Sequence, residues 1–175
     1  DNLAFRPDVT VHRFAEPDPA TSGTVTDAVP LRFGYPIAPV DSEAMFVDPI
    51  SGDLFIITKV DTGRSIVLRA DGTTLGSDPI LPTFEVATLD LGPGTFVTAA
   101  DISPDGTMIA FRGYEEVWVW ARNDADAATA FADAPCAAPS PEEIQGEAIA
   151  FTADGTAYVT VSEGSAPTLW RVGGS

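Results

Sequence analysis

The side chains most able to do chemistry recur at matched places along this chain. Asp41 and Glu43 stand ahead of an apolar run that ends at Lys59, Thr98 and Asp101 open a second run that ends at Arg112, and Gln145 and Glu147 open a third that ends at Glu163. Carboxylates and amide oxygens gathered from separate segments suit a hard cation such as Ca2+, which takes about six to eight oxygen ligands at about 2.3–2.6 Å. Glu43, Asp101 and Glu147 are the metal candidates in this pattern. Each is costly to bury alone as an anion, so a metal, Lys59 or Arg112 has to compensate it. The sequence leaves three arrangements open: a Ca2+ site, ion pairs with Lys59 and Arg112 with water between them, or direct capture of a polar ligand.

The elements that position these residues are strands. Three segments align, SEAMFVDPISGDLFIITK (42–59), VTAADISPDGTMIAFRG (97–113) and GEAIAFTADGTAYVTVSEG (146–164), each a short strand, a Pro or Asp-Gly turn and a second strand. Glu43, Thr98 and Glu147 hold the equivalent position, 55 and then 49 residues apart. That period is the length of a propeller blade with its loops. Further strands at 65–70, 83–91 and 115–122 fill out the first two units, and only 168–173 follows the third.

The fold class expected is all-β: a β-propeller of four-stranded antiparallel blades of about 50 residues, incomplete as a ring at three to four blades. The divisions are 1–38 (outer strands of a blade), 39–94 (a blade), 95–141 (a blade with a short helical surface insert at 123–134) and 142–175 (a last blade of three strands). Missing blades are expected from an upstream segment, a second copy or another chain. A β-sandwich is the rival fold, but it does not predict the repeat. In a propeller the first strand of each blade lines a central channel and starts where the second ends. All nine residues named above are then expected around one channel mouth, where a small-molecule or protein ligand would bind.

Composition narrows the partners. Nine Lys and Arg stand against 26 Asp and Glu, a formal charge of −17, which repels nucleic acid at long range. Cys136 is the only cysteine, so an intrachain disulfide and a cysteine-based zinc cluster are excluded, and it reads as a small packed or idle residue. His12 is the only histidine and sits on one face of a strand without triad partners in the sequence pattern. No apolar run approaches the roughly 20 residues that span a bilayer, so membrane insertion is not expected. The chain begins Asp-Asn-Leu-Ala-Phe without Met or a signal-peptide pattern, compatible with a leader or larger upstream segment. The DPISGD, SPDGT and TADGT stretches lack EF-hand spacing and read as hairpin turns. Trp118 and Trp120 share one strand face, which sheet-to-sheet packing explains better than a sugar platform.

Taken together, VTVHRFAEP, DSEAMFVDPISGDLFIITK, VTAADISPDGTMIAFRGY and QGEAIAFTADGTAYVTVSEG resemble secreted bacterial β-propeller proteins of actinobacterial type, related in architecture to lactonase and phytase-like propellers. The resemblance covers nearly the whole chain and implies a secreted or extracytoplasmic protein. It implies an upstream half ending in a Gly-Asp-Asn turn, with Asp1 and Asn2 as its tail. By that resemblance a channel calcium falls on Glu43 and Glu147; the second repeat departs from it, with Thr98 in place of the carboxylate and Asp101 three residues on. Two functions follow as expectations. One is a hydrolase in which Ca2+ polarises an ester, lactone or phosphoester oxygen while a carboxylate activates water. The alternative is a non-catalytic scaffold whose acidic rim binds a protein or cell-wall partner.

Overall fold

The computed structural model describes residues 3–18, 20–76 and 79–174, so Asp1 and Asn2 lie outside the described residues. Its strands form four separate sheets rather than a closed barrel. The first sheet joins β1 (Asp8–Arg13) to β2 (Val29–Gly34) antiparallel, and β6 (Leu81–Pro82) adds to β2 in parallel. The second has the order β3 (Ser42–Val47), β4 (Leu54–Thr58), β5 (Arg64–Ala70), β7 (Phe84–Asp90). In the third, β8 (Ala99–Ile102), β9 (Met108–Arg112), β10 (Val117–Ala121) and β11 (Cys136–Ala138) follow in turn; the fourth is β12 (Gly146–Phe151), β13 (Ala157–Ser162), β14 (Leu169–Gly173). Within the last three sheets every pairing is antiparallel.

The sheets stack face to face on three apolar layers, because successive residues of a strand point to opposite faces. Leu31 and Phe33 of the first sheet meet Leu54, Ile56 and Leu68 of the second. The opposite face of the second sheet, with Phe46, Phe55, Ile57 and Val67, packs on Ile102, Ile109, Phe111 and Trp120 of the third. Ala110 and Val117 then meet Ile149 and Tyr158 of the fourth. Strand β4, Leu-Phe-Ile-Ile-Thr, is buried on both faces, which is why it reads as a continuous apolar run rather than an alternating one.

The hairpin turns behave as turn chemistry. Gly106 and Gly155 adopt φ of +73° and +67°, a region open to glycine, and each amide donates back three residues, to Ser103 and Thr152. Asp105 and Asp154 fold onto their own turns: the Thr107 and Thr156 amides donate to them, and hydroxyls and amide together hold the Asp154 carboxyl down at about 2. Residues 123–134, expected as a surface helix, instead carry a short 3-10 turn at Ala127–Ala132 with Ala127, Ala130 and Phe131 buried. Phe131 packs against both Phe111 and Trp120, with ring centroids 5.6 and 5.5 Å apart, so this segment closes the core between the second and third sheets. Trp118 packs at the edge of the same layer, as its shared strand face with Trp120 predicts. Cys136 is exposed on β11. No helix among the described residues is long and apolar enough to cross a membrane.

Candidate functional site

Strands β3, β8 and β12 run side by side, β3 against β8 and β8 against β12. Their starting ends and the ends of the next strands surround an open recess of about 510 Å3 lined by Glu43, Lys59, Thr98, Tyr114, Gln145, Glu147 and Glu163. Six of the nine residues selected from sequence are therefore neighbours here.

A shared backbone device aims two of the carboxylates. The ladder between β3 and β4 shifts register between Ser42 and Ala44, and the ladder between β12 and β13 shifts between Gly146 and Ala148. The residue passed over is Glu43 in one case and Glu147 in the other. A bulge leaves its extra residue unpaired and re-aims the side chain, so the repeat of the sequence is also a repeat of this irregularity. Backbone bonds close both ends alike: Lys59 N donates to Asp41 O and Glu163 N donates to Gln145 O, each at 2.9 Å.

The charges are disposed unequally. Lys59 Nζ lies 2.6 Å from Glu43 Oε2 and 5.0 Å from the centre of the Tyr114 ring. Burial alone would lower the Lys59 pKa, but its hydrogen bond to Glu43, with help from Tyr114, outweighs that and raises it, so the ammonium stays charged. On the opposite wall Gln145 Nε2 donates to Glu147 Oε1 at 2.6 Å and to Glu163 Oε2 at 2.8 Å. One neutral amide thus bridges two carboxylates. Three acids face one lysine, and the free lone pairs on their oxygens make the recess rich in acceptors and poor in donors.

Thr98, which stands where the other repeats have Glu, is buried and does not reach into the space as a ligand would. Its Oγ1 donates to Gly146 O at 2.7 Å and its amide to Arg112 O at 2.8 Å, pinning the start of β8 to the start of β12. Asp41 lines the adjoining recess with Asp61, Phe96, Lys59 and Tyr114.

Asp101 and Arg112 are not at the recess; both side chains take partners between the third and fourth sheets. Asp101 occupies the repeat position of Phe46, whose side chain packs toward the next sheet, and likewise faces β12, accepting the Phe151 amide at 2.6 Å. Arg112 occupies the position of Ile57 and is driven between the third and fourth sheets. There it pairs with Glu143 at 2.6 Å, the two side chains being 0% and 1% exposed. It also donates to Ser140 Oγ and to the carbonyls of Tyr114 and Glu116. Glu143 in turn accepts from Thr160 Oγ1 at 2.9 Å. Arg112 is a positioning residue: it fastens the loop that delivers Gln145 to the recess.

Sequence reasoning passed over Tyr114 as a site residue, although a signal was present. Lys59, Tyr114 and Glu163 each follow Glu43, Thr98 and Glu147 by the same 16 residues. Glu143 carried no comparable signal, because its partner lies 31 positions away.

Compared with known proteins, the chain matches no family model and no curated protein. Its own donor set decides how a metal would fit. Among the described residues no group of three or more His, Cys, Asp and Glu side chains is arranged to hold a metal ion. Asp101 is turned to Phe151 and Glu43 to Lys59, so the Glu43, Asp101 and Glu147 set is not assembled.

Asp101 yields a direct expectation. Burial pushes its carboxyl above the usual carboxylate range, against the pull of the Phe151 and Ile102 amides. A carboxyl raised in the folded state contributes stability below its unfolded pKa and loses it as pH rises through the folded value. Asp101→Asn keeps the acceptor for Phe151 N–H and removes the charge. At pH 7 it should melt at or above the wild-type temperature, and a melting point several degrees lower would contradict this account.

Proposed function

We propose that this chain is a run of β-propeller blades and that the recess at the ends of β3, β8 and β12 is a non-catalytic binding site for a cationic ligand rich in hydrogen-bond donors, such as an amine or guanidinium group on a small molecule or peptide. The observation that carries the reading is the imbalance at the recess: Glu43, Glu147 and Glu163 oppose the single ammonium of Lys59, and Gln145 supplies one amide to two carboxylates. The blade reading is supported by the stacking of the second, third and fourth sheets on apolar layers, and by the second and fourth repeating the same bulge and the same terminal backbone bond. The extracytoplasmic setting belongs to this proposal through the sequence resemblance alone.

The hydrolase reading has less support. It needs a cation held by carboxylates from different sheets, and of the three candidates Asp101 is turned to the Phe151 amide and Glu43 is paired with Lys59. Titration calorimetry separates the readings, with spermidine, arginine amide and CaCl2 as separate probes at low ionic strength. The amines are expected to bind, with affinity falling as salt rises and falling about tenfold or more in the Glu147→Gln/Glu163→Gln variant. Binding of CaCl2 without the amines, or amine binding unchanged in the double variant, would overturn the proposal.

A further inference from the structure

The recess at the ends of β3, β8 and β12 continues into a second open cleft of about 500 Å3, and Glu163 lines both. One wall of the cleft is the loop that carries Gln145, with Glu142 and Ile144; the other is the β13–β14 turn, with Pro167, and Trp170 on β14 itself. Trp170 lies opposite Thr160 in the β13–β14 ladder, and Thr160 reaches Glu143 of the same loop, so the indole stands on the loop side of the sheet. Trp170 and Ile144 nevertheless remain 43% and 99% exposed, two large apolar side chains lining one cleft. The acids there are unevenly balanced. Glu143 is paired with Arg112, whereas the lining that holds Glu142 and Glu163 has no Lys or Arg among the described residues. On its other side the recess shares Lys59 and Tyr114 with a third hollow of about 450 Å3, lined also by Asp61 and Phe96. The three form a trough along the strand ends, a shape for an extended chain rather than for a compact molecule.

We propose that the trough binds an extended peptide segment in which a basic and an aromatic residue stand two positions apart, the basic side chain in the recess and the aromatic ring in the cleft beside Ile144 and Trp170. Two positions apart is the spacing at which an extended backbone turns both side chains to the same side. Charge complementarity sets the first residue, since the shared wall of recess and cleft is the Glu163 carboxylate. The second is set by the apolar area that Ile144 and Trp170 leave in water, which an aromatic ring covers and to which it adds ring-to-ring contact with the indole. The acidic lining disfavours an anionic occupant. The inference deepens the cationic-ligand reading and rests on it.

Titration calorimetry at low ionic strength tests it with acetylated, amidated tripeptides: Arg-Gly-Phe and Phe-Gly-Arg, because the direction of the chain is open, against Arg-Gly-Gly. The better of the two aromatic peptides should bind about tenfold more tightly than Arg-Gly-Gly. That ratio should fall to about two or less in Trp170→Ala and in Ile144→Ser, the second a change at a side chain too exposed to bear on folding. Phenethylamine, which offers cation and ring without a backbone, should bind about tenfold or more weaker than the better peptide. A ratio near one in the unmodified chain, a ratio kept in either variant, or phenethylamine binding as tightly as the peptide would each overturn the proposal, the last in favour of a small-molecule occupant. Arginine amide tells the two readings apart. If it binds and the ratio is near one, this inference fails and the cationic-ligand reading stands; if neither arginine amide nor any peptide binds, both fall.

Discussion

Asp48→Ala should lower the unfolding free energy by about 3–5 kcal/mol, the range for removing one partner of a buried ion pair. Asp48 sits in the turn of the second sheet and Arg122 at the end of β10, yet Nη1 and Oδ1 are 2.6 Å apart with side chains 2% and 1% exposed. Every other polar contact at this point depends on the pair. The Ile50 amide and Ser51 hydroxyl donate to Asp48, while Arg122 donates to the carbonyls of Asp124 and Ala125. Removing the carboxylate leaves a guanidinium buried with two carbonyls and no counter-charge. The junction joins the second sheet to the third, so urea denaturation should show a lower midpoint with an unchanged slope.

The pH dependence follows from the same contacts. Burial would raise the Asp48 carboxyl, but the Arg122 guanidinium, the Ile50 amide and the Ser51 hydroxyl outweigh it and hold the group below the usual carboxylate range. A carboxyl lowered in the folded state stabilises above its unfolded pKa of about 3.9 and loses that contribution as pH falls through the folded value. The gap between wild type and Asp48→Asn should therefore be full at pH 7 and shrink below about pH 4. A gap that is constant with pH would show that the charge is not what stabilises the junction.

How much of this was legible beforehand depends on the range of the interaction. The strands were, because alternation and Asp-Gly turns are local; β11 was not, since Cys-Ala-Ala carries neither β-branched nor aromatic residues. The recess was readable to the extent that the repeat fixes positions: Glu43 and Glu147, and Lys59 and Glu163, meet because equal spacing on equal hairpins places them at equal ends. Choosing Asp101 and Arg112 for the same mouth missed their partners, the Phe151 amide and the Glu143 carboxylate, which lie 50 and 31 positions away and leave no local pattern. The Asp48–Arg122 pair spans 74 positions and leaves no trace in local pattern. DPISGD announces a turn, and only the stacking of two sheets gives its first carboxylate a partner.

Arg112→Met should cost a further roughly 3–5 kcal/mol and also weaken the recess. The side chain links β9, the Tyr114–Glu116 backbone and the 139–146 loop, and its loss leaves the Glu143 carboxylate buried on Thr160 alone. Gly146 is part of the same fit. A Cβ there would overlap the Arg112 guanidinium, 2.2 Å from Nε and Nη2, so Gly146→Ala should displace either the arginine or the start of β12, and with it Gln145. Both variants should therefore lose stability and amine affinity together, whereas Glu147→Gln should lose affinity alone. The decisive comparison is Arg112→Met with Glu143→Leu. Replacing both members of a buried pair by apolar side chains removes the unpaired charge, so the double variant should regain most of the stability lost by Arg112→Met, read as urea midpoint. Affinity should stay low in it, because the polar anchor of the Gln145 loop is gone. If the double variant is no more stable than the single one, burial of an uncompensated carboxylate is not the origin of the loss. If it binds amines like the wild type, the loop does not need Arg112 to present Gln145.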